Sequence, residues 1–132
     1  MINNLFKFGF HDTDVNDIRI EENSIILYFD EGIYILDEFN NETNLSKPIS
    51  MNIKIDNKYF KTIDVMEIRE ISPKHCSLDF KTLKKILKKD KLGINNVYYS
   101  NFNSTILIEC GIGEKILLIF IEECLEVNYN FI

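Results

Sequence analysis

The feature that most constrains the fold of this chain is an alternation of apolar and polar residues with a period of two. In residues 49–56 every odd position is isoleucine or methionine and every even position is polar. Successive side chains of a β-strand point to opposite faces, so this pattern predicts a strand with one buried face. Strands with one face in water are typical of antiparallel sheets.

Further apolar runs predict the other strands. Residues 18–21, 25–30 and 33–36 indicate a three-stranded meander with turns at Asn23-Ser24 and Asp30-Glu31-Gly32. The polar segment 37–48 ends in proline and is predicted to be a loop. In residues 59–71 the alternation slips between Val65 and Met66, which predicts a bulge. Later strands are expected at 94–100, 104–110, 115–121 and 124–132, and the third of these is central because it is apolar on both faces.

One segment has helical spacing. About residues 79–92 form an amphipathic helix whose apolar face contains Phe80, Leu83, Ile86 and Leu87. Ser77 or Asp79 can accept a hydrogen bond from the first turn, and Gly93 is placed to form a left-handed C-cap. The sequence therefore predicts an α+β fold. A mainly antiparallel sheet of about seven or eight strands carries the helix on one face, in a single domain of residues 1–132.

Charge and cysteine content narrow the classes of partner. The net charge of -6 disfavours binding to phosphate backbones, so we expect no nucleic-acid partner. The apolar run 116–121 is too short to cross a bilayer, and the N-terminus lacks a signal-peptide pattern. The three cysteines, Cys76, Cys110 and Cys124, have no CxxC spacing and are expected to be free thiols. These features predict a cytoplasmic protein without a membrane partner or cofactor.

The charges are unevenly distributed along the chain. Acidic residues dominate the N-terminal third and the last stretch, and lysines crowd the predicted helix. The acidic residues are Asp12, Asp14, Asp17, Glu21, Glu22, Asp30, Glu31, Asp37, Glu38, Glu42, Glu109, Glu114, Glu122, Glu123 and Glu126. If the two acidic regions share a surface, it suits capture of a cationic protein. We expect the lysines to form the solvent-exposed face of the predicted helix, opposite its apolar face.

A histidine and two aspartates, His11, Asp12 and Asp14, precede the first predicted strand. One interpretation is a metal site or an acid–base pair, with His75 or a glutamate as a further ligand. The interpretation we favour is a turn in which the aspartates bond to backbone N–H groups and His11 is a packed residue that bonds to a carboxylate, with no catalytic or metal-binding role.

Two other motifs have simple structural interpretations. Cys76 follows His75, but adjacent residues of a strand do not face each other, so a catalytic pair is disfavoured. The two glycines of residues 110–114 lie between strands and predict a hairpin turn; a phosphate-binding loop would lead into a helix.

The opening of the chain, from Phe10-His11-Asp12 through the alternating residues up to Leu36, resembles a group of small bacterial proteins. They begin with a Phe-His-Asp motif followed by strands, and some are immunity proteins encoded beside polymorphic toxins. The resemblance implies a non-enzymatic cytoplasmic protein that blocks a toxin.

Three functional hypotheses follow. The leading one is a non-enzymatic protein-binding domain, an immunity-type inhibitor of a basic toxin. The first alternative is a small hydrolase or metal-dependent enzyme that uses His11, Asp12 and Asp14. The second alternative is a structural homo-oligomer, such as a dimer, that pairs through the exposed edge of residues 124–132.

Overall fold

The computed structural model describes residues 2, 4–56 and 61–132, in which the chain is almost entirely β-structure around one helix. The strands are β1 (Phe8–Gly9), β2 (Thr13–Val15), β3 (Asp17–Glu21), β4 (Ser24–Phe29), β5 (Tyr34–Leu36), β6 (Glu42–Leu45), β7 (Ile49–Ile55), β8 (Met66–Ser72), β9 (Cys76–Leu78), β10 (Leu92–Ser100), β11 (Thr105–Ile112), β12 (Lys115–Ile121) and β13 (Cys124–Phe131). The helix is α1 (Phe80–Leu87), and the two 3-10 turns are η1 (Leu5–Lys7) and η2 (Thr62–Val65).

The strands form three antiparallel sheets. The first has the order β2-β10-β11-β12-β8-β9, the second β13-β7-β4-β3, and the third is the small sheet β1-β5-β6. The prediction of a mainly antiparallel sheet with one helix is confirmed, but the described residues contain thirteen strands instead of seven or eight. The count differs because strands of two to four residues are too short to show a period in the sequence.

The predicted meander is only partly right. β3 and β4 form a hairpin, but the second neighbour of β4 is β7, and β5 pairs with β1 and β6. The segment predicted as a loop contains β6, whose four residues are all exposed and carry no apolar alternation. A strand with no buried face leaves no periodic signal.

Side chains from the two large sheets meet in one buried cluster. β12 lies between β11 and β8, so the prediction that residues 115–121 are central is confirmed. Phe29 on β4 and Ile53 on β7 are fully buried, as are Ile106 on β11 and Leu117 on β12. Close packing of such side chains is the main source of stability in a domain of this size.

The helix starts where the sequence predicts. Asp79 is the N-cap, and its Oδ1 accepts a hydrogen bond of 2.7 Å from the backbone N–H of Thr82. Leu83 and Leu87 are buried beneath α1. The Nζ atom of Lys84 donates to Asp17 Oδ1 at 2.6 Å and to the carbonyl of Ile18 at 3.0 Å, which attaches the helix to β3. Burial alone would raise the pKa of Asp17. The hydrogen bond and positive charge of Lys84, together with hydrogen bonds from Arg19 and Ile18, outweigh burial and lower this pKa overall.

The predicted end of the helix is wrong. α1 ends at Leu87, and Gly93 lies within β10, where it pairs with Asp14 and Gly111. The lysine-rich continuation is favourable to helix locally, but pairing of β10 with its neighbours determines the conformation of the glycine.

The slip in alternation at Val65 and Met66 marks a change of element and not a bulge. The 3-10 turn η2 ends at Val65, and β8 begins at Met66. Residues 57–60, which include the start of the strand predicted at 59–71, lie outside the described residues. A bulge does occur in β10, between Ile94 and Asn96. In the part of the chain that the structure describes, no helix is long and apolar enough to cross a membrane.

Candidate functional site

The residues around His11 form a tight turn between β1 and β2. Both the N–H and the Oγ1 of Thr13 donate to the carbonyl of Phe10, at 3.0 and 2.6 Å. Asp12 has a φ of +57°, in the left-handed region that Asp and Asn tolerate better than most residues. Its N–H donates to the carbonyl of Ile94 at 3.0 Å, which joins the turn to β10. The backbone at these positions is therefore shaped by the turn.

The side chain of His11 faces solvent, so the prediction that it is packed is wrong. Its Nε2 lies 3.2 Å from Asp12 Oδ2, and the two side chains are 67% and 73% exposed. Its backbone N–H donates to Glu42 Oε2 at 3.2 Å. Because water surrounds both side chains, the contact between imidazole and carboxylate is weak.

The third residue of the predicted site is directed elsewhere. Asp14 lies on β2 opposite Gly93, with Oδ1 beside that glycine. The pKa of Lys91 is raised, chiefly by its hydrogen bond and charge interaction with Glu31, and Asp14 adds a smaller effect of the same sign. Asp14 is thus part of a charged surface around Lys91.

His75 and Cys76 are remote from His11. Cys76 begins β9 and His11 precedes β2, and these strands are the two outer strands of the six-stranded sheet. Five strand spacings separate them, roughly 24 Å for a flat sheet. His75 therefore cannot complete a site with His11. Within the described ranges, no three or more His, Cys, Asp or Glu side chains are grouped so that they could hold a metal ion.

A groove of about 640 Å³ lies beside the Phe10–Thr13 turn. Three phenylalanines, Leu36 and Val97 line its apolar part. Its polar lining consists of His11, Asn40, Asn41, Glu42, Asn95 and Asn96. A Cβ at Gly9 would come within 2.7 Å of Glu42 Cγ, so a larger residue there would displace the exposed side chain of Glu42.

The chemistry of this groove is that of hydrogen bonding. Its amides and one carboxylate can bind polar groups, but none of its described lining residues is a serine, cysteine, threonine or lysine nucleophile. His11 is the one histidine among the described lining residues. Of the predicted site residues, the groove contains His11 and not Asp12 or Asp14, and it adds Glu42, which the sequence did not indicate.

Two of the three free cysteines are buried. Burial, helped by the charge of Glu109, raises the pKa of Cys110 to about 12. Burial also raises the pKa of Cys124 to about 12, with a smaller contribution from Glu123 against a hydrogen bond from Ile106. The thiolate is the reactive form, so neither residue is a nucleophile in the folded protein.

This difference in burial predicts the pattern of thiol modification. Native protein treated with a thiol-specific reagent near pH 8 should be modified rapidly at Cys76, which is partly exposed, and slowly at Cys110 and Cys124. All three thiols should react in denaturant. Mass spectrometry of the labelled protein measures the sites, and Cys76→Ser should remove the rapid phase. Rapid labelling of Cys110 in the native state would contradict the burial described above.

The remaining motifs have structural roles. The predicted hairpin between β11 and β12 is confirmed, and Gly113 lies in its turn with a φ of +59°, whereas Gly111 is a residue of β11. Two lysines are engaged in ion pairs, Lys84 with Asp17 and Lys91 with Glu31. The exposed lysines Lys81, Lys85, Lys88 and Lys89 form the solvated side of α1 and the turn after it.

Six acidic residues come together at one end of the two large sheets. We call this cluster the acidic end; it consists of Glu21, Glu22, Asp56, Asp64, Glu122 and Glu123. Thr62 Oγ1 donates to the carbonyls of Glu21 and Glu22, at 3.3 and 2.9 Å. Two further backbone hydrogen bonds, each of 2.8 Å, join these segments. The N–H of Glu122 donates to the carbonyl of Val65, and the N–H of Asp56 donates to the carbonyl of Glu123. The backbone therefore brings together residues that lie up to a hundred positions apart.

Two exposed apolar side chains lie beside the acidic end. Phe102, at the tip of the loop between β10 and β11, is 99% exposed. The carbonyl of Ser104 in this loop accepts a bond of 3.0 Å from Cys124, directly after Glu123. Ile63 lies in η2 between Thr62 and Asp64 and is 45% exposed. Apolar anchors surrounded by charge are typical of protein-binding surfaces.

The sequence identified the acidic regions but not the way they meet. Glu21 and Glu22 come from the first region and Glu122 and Glu123 from the last, whereas Asp56 and Asp64 belong to neither. The one local signal for an anchor is Phe102 between two asparagines, an aromatic residue in a sequence typical of turns.

Comparison with known proteins adds no relative to this description. No protein-family model matches the chain, and neither a curated protein nor a solved structure shows significant similarity to it.

Proposed function

We propose that this protein is a non-enzymatic binding domain that captures a basic protein through its acidic end. The observation that carries the proposal is that the backbone brings six acidic residues together beside the exposed side chains of Phe102 and Ile63. The resemblance of the Phe10-His11-Asp12 opening to immunity proteins supports a specific class of partner, a basic toxin. In this role the protein inhibits the toxin by occupying its cationic surface.

Electrostatics supports a cationic partner. A net charge of -6 attracts basic proteins over long distances, and a local cluster of carboxylates fixes the orientation of the encounter. Two lysines lie at this end, Lys54 at 3.8 Å from Glu126 and the exposed Lys61 beside Asp64, and they offset part of the negative charge of the carboxylates. Binding should therefore be fastest at low ionic strength and weaken as salt screens the attraction.

The apolar side chains provide affinity that charge alone does not. An aromatic residue at the centre of an interface commonly contributes most of the binding free energy when it enters a pocket of the partner. Phe102 makes no ring contact among the described residues and is not required by the core. The segment that follows Phe102 is held by two hydrogen bonds: Thr105 Oγ1 donates to the carbonyl of Asn103 at 3.3 Å, and the carbonyl of Ser104 accepts from the N–H of Cys124.

The compartment proposed for this function is the cytoplasm. Cys76, Cys110 and Cys124 are all free, which agrees with a reducing environment. An immunity protein of this type meets its toxin inside the cell that it protects, so the compartment and the proposed role are consistent.

The test begins with partner capture at low salt from the source organism and continues with affinity measurements on the purified partner. Phe102→Ala should raise the dissociation constant about 30-fold, which corresponds to about 2 kcal/mol. The double variant Glu122→Lys/Glu123→Lys should raise it by a factor on the order of 100, mainly through slower association at low salt. Isothermal titration calorimetry and stopped-flow kinetics measure these changes.

A matched control separates local from overall charge. Glu38→Lys/Glu114→Lys changes the net charge by the same amount at two exposed turns away from the acidic end. This control should raise the dissociation constant by only about threefold. If both double variants weaken binding equally, or if the captured partner is not basic, the proposal is wrong.

A further inference from the structure

β13 is an eight-residue strand at the edge of its sheet. It pairs with β7 from Cys124 to Phe131, with a bulge between Cys124 and Glu126, and no described strand pairs with its other side. The turn η1 contacts β13, and Tyr129 Oη donates to the carbonyl of Leu5 there. The outer strands of the six-stranded sheet, β2 and β9, have three residues each, and β3 is contacted by α1. A long open edge presents a row of unpaired backbone donors and acceptors.

The hydrogen-bond register identifies which groups face outward. The N–H of Ile132 donates to the carbonyl of Pro48 at 3.0 Å, on the β7 side. In an antiparallel ladder, alternate residues direct their N–H and C=O groups to the same neighbour. The backbone of β13 therefore bonds to β7 at Glu126, Asn128 and Asn130. The backbone groups that point to the open side are those of Val127, Tyr129 and Phe131.

The strand has few of the features that prevent edge pairing. Residues 124–131 contain no proline and no lysine, and their one charge, Glu126, is paired with Lys54. Exposed apolar side chains lie at both ends of the strand, Leu125 at 47% and Phe131 at 64%. A cleft of about 460 Å³ between Phe131 and Ile35 is almost wholly apolar.

We infer that β13 pairs with β13 of a second copy of this chain, antiparallel and around a two-fold axis at Asn128. This register places Val127 opposite Tyr129 of the second copy and forms about four backbone hydrogen bonds between the outward-facing groups. It brings Leu125 of one copy to Phe131 of the other, beside the apolar cleft. The single carboxylate of the strand, Glu126, then faces the neutral Asn130 of the second copy, so no like charges meet.

Dimer formation is compatible with the acidic end but does not depend on it. Glu122 and Glu123 precede β13, so antiparallel pairing places the two acidic ends at opposite ends of the joined sheet. That sheet has eight strands, four from each copy. Both acidic ends stay accessible and far apart, which avoids electrostatic repulsion between the copies.

The first test is the mass of the protein in solution. Sedimentation equilibrium from about 1 µM to about 1 mM should show a reversible shift from the 15.6 kDa monomer to twice that mass. Asn128→Lys places two like charges across the axis and should raise the dimer dissociation constant at least tenfold. Asn103→Lys, the same change in the exposed loop at the acidic end, should alter it less than about twofold.

A second test measures the register directly. In the Cys76→Ser background, Asn128→Cys should form a disulfide-linked dimer under mild oxidation, because residues opposite each other at the axis have Cβ atoms within disulfide reach. Asn103→Cys in the same background is the control and should link much more slowly. A monomer at every concentration would overturn the inference. A dimer that Asn128→Lys does not weaken, or equal linking of the two cysteine variants, would also overturn it.

Discussion

Gly32→Ala is expected to lower the free energy of unfolding by about 3 kcal/mol. Gly32 has a φ of +82°, where an alanine is strained by about 1 kcal/mol. The added Cβ would also meet the backbone of Ser46, with the carbonyl carbon 2.8 Å away and the carbonyl oxygen nearer still. Backbone cannot move aside like a flexible side chain, because Ser46 is bonded to Ile33 by two hydrogen bonds, of 2.7 and 3.1 Å.

Gly113→Ala is the matched control for this prediction. Gly113 also has a positive φ, +59°, but an added Cβ there has nothing within 4 Å. Only the backbone strain applies, so the loss should be about 1 kcal/mol. Urea denaturation followed by far-UV circular dichroism measures both variants. Equal losses for the two glycines would show that the contact with Ser46 is not the cause.

Phe29→Ala should lower the free energy of unfolding by about 4 kcal/mol, the larger of the two effects. Phe29 is fully buried at the end of β4, and its ring centroid lies 6.2 Å from that of Phe10. Removal of the ring leaves a cavity between β4 and the turn that carries His11, and the surrounding β-sheet can relax only in part. The change in the urea midpoint at constant slope measures the loss.

Phe102→Ala is the matched control for the core substitution and a check on the binding proposal. The same side chain is removed at a position that is 99% exposed, so stability should change by no more than about 0.5 kcal/mol. A folded Phe102→Ala protein that binds its partner poorly would separate recognition from folding. A large loss of stability in this variant would instead mean that Phe102 is part of the fold.

The region around His11 shows how much of a turn can be predicted from the sequence. The sequence predicted a turn in which aspartate side chains bond to backbone N–H groups. Asp12 does adopt a left-handed conformation in a turn, but its carboxylate lies beside the imidazole of His11 and its backbone N–H bonds to Ile94. The sequence did not indicate Glu42, which accepts a hydrogen bond from His11 across 31 positions. Glu42 lies in a segment predicted to be a loop, and only the pairing of β5 with β6 brings it to this turn.

The start of the helix could be predicted from the sequence, whereas its end could not. Asp79 acts within one helical turn, so the cap is a local property that the sequence specifies. The helix stops at Leu87 because the chain must enter β10 in register with β2 and β11, and this requirement is not local. Gly93 consequently became a strand residue, although its position after a lysine-rich helix favoured a C-cap.

By itself the sequence determined the properties that depend on neighbours a few positions away: the period-two strands, the capped start of α1, the hairpin between β11 and β12 and the free state of the cysteines. Tertiary structure alone decided which strands pair, which glycine is crowded by backbone, and which carboxylates share a surface. The physical reason is that side-chain alternation and capping act over one to four residues, whereas strand partners are chosen by the burial of faces from the whole chain. In the sequence Gly32 and Gly113 are both turn glycines, but in the folded chain only Gly32 lies against the backbone of another residue. Glu22 and Glu122 are a hundred positions apart in the sequence, and only the fold places them in one acidic end.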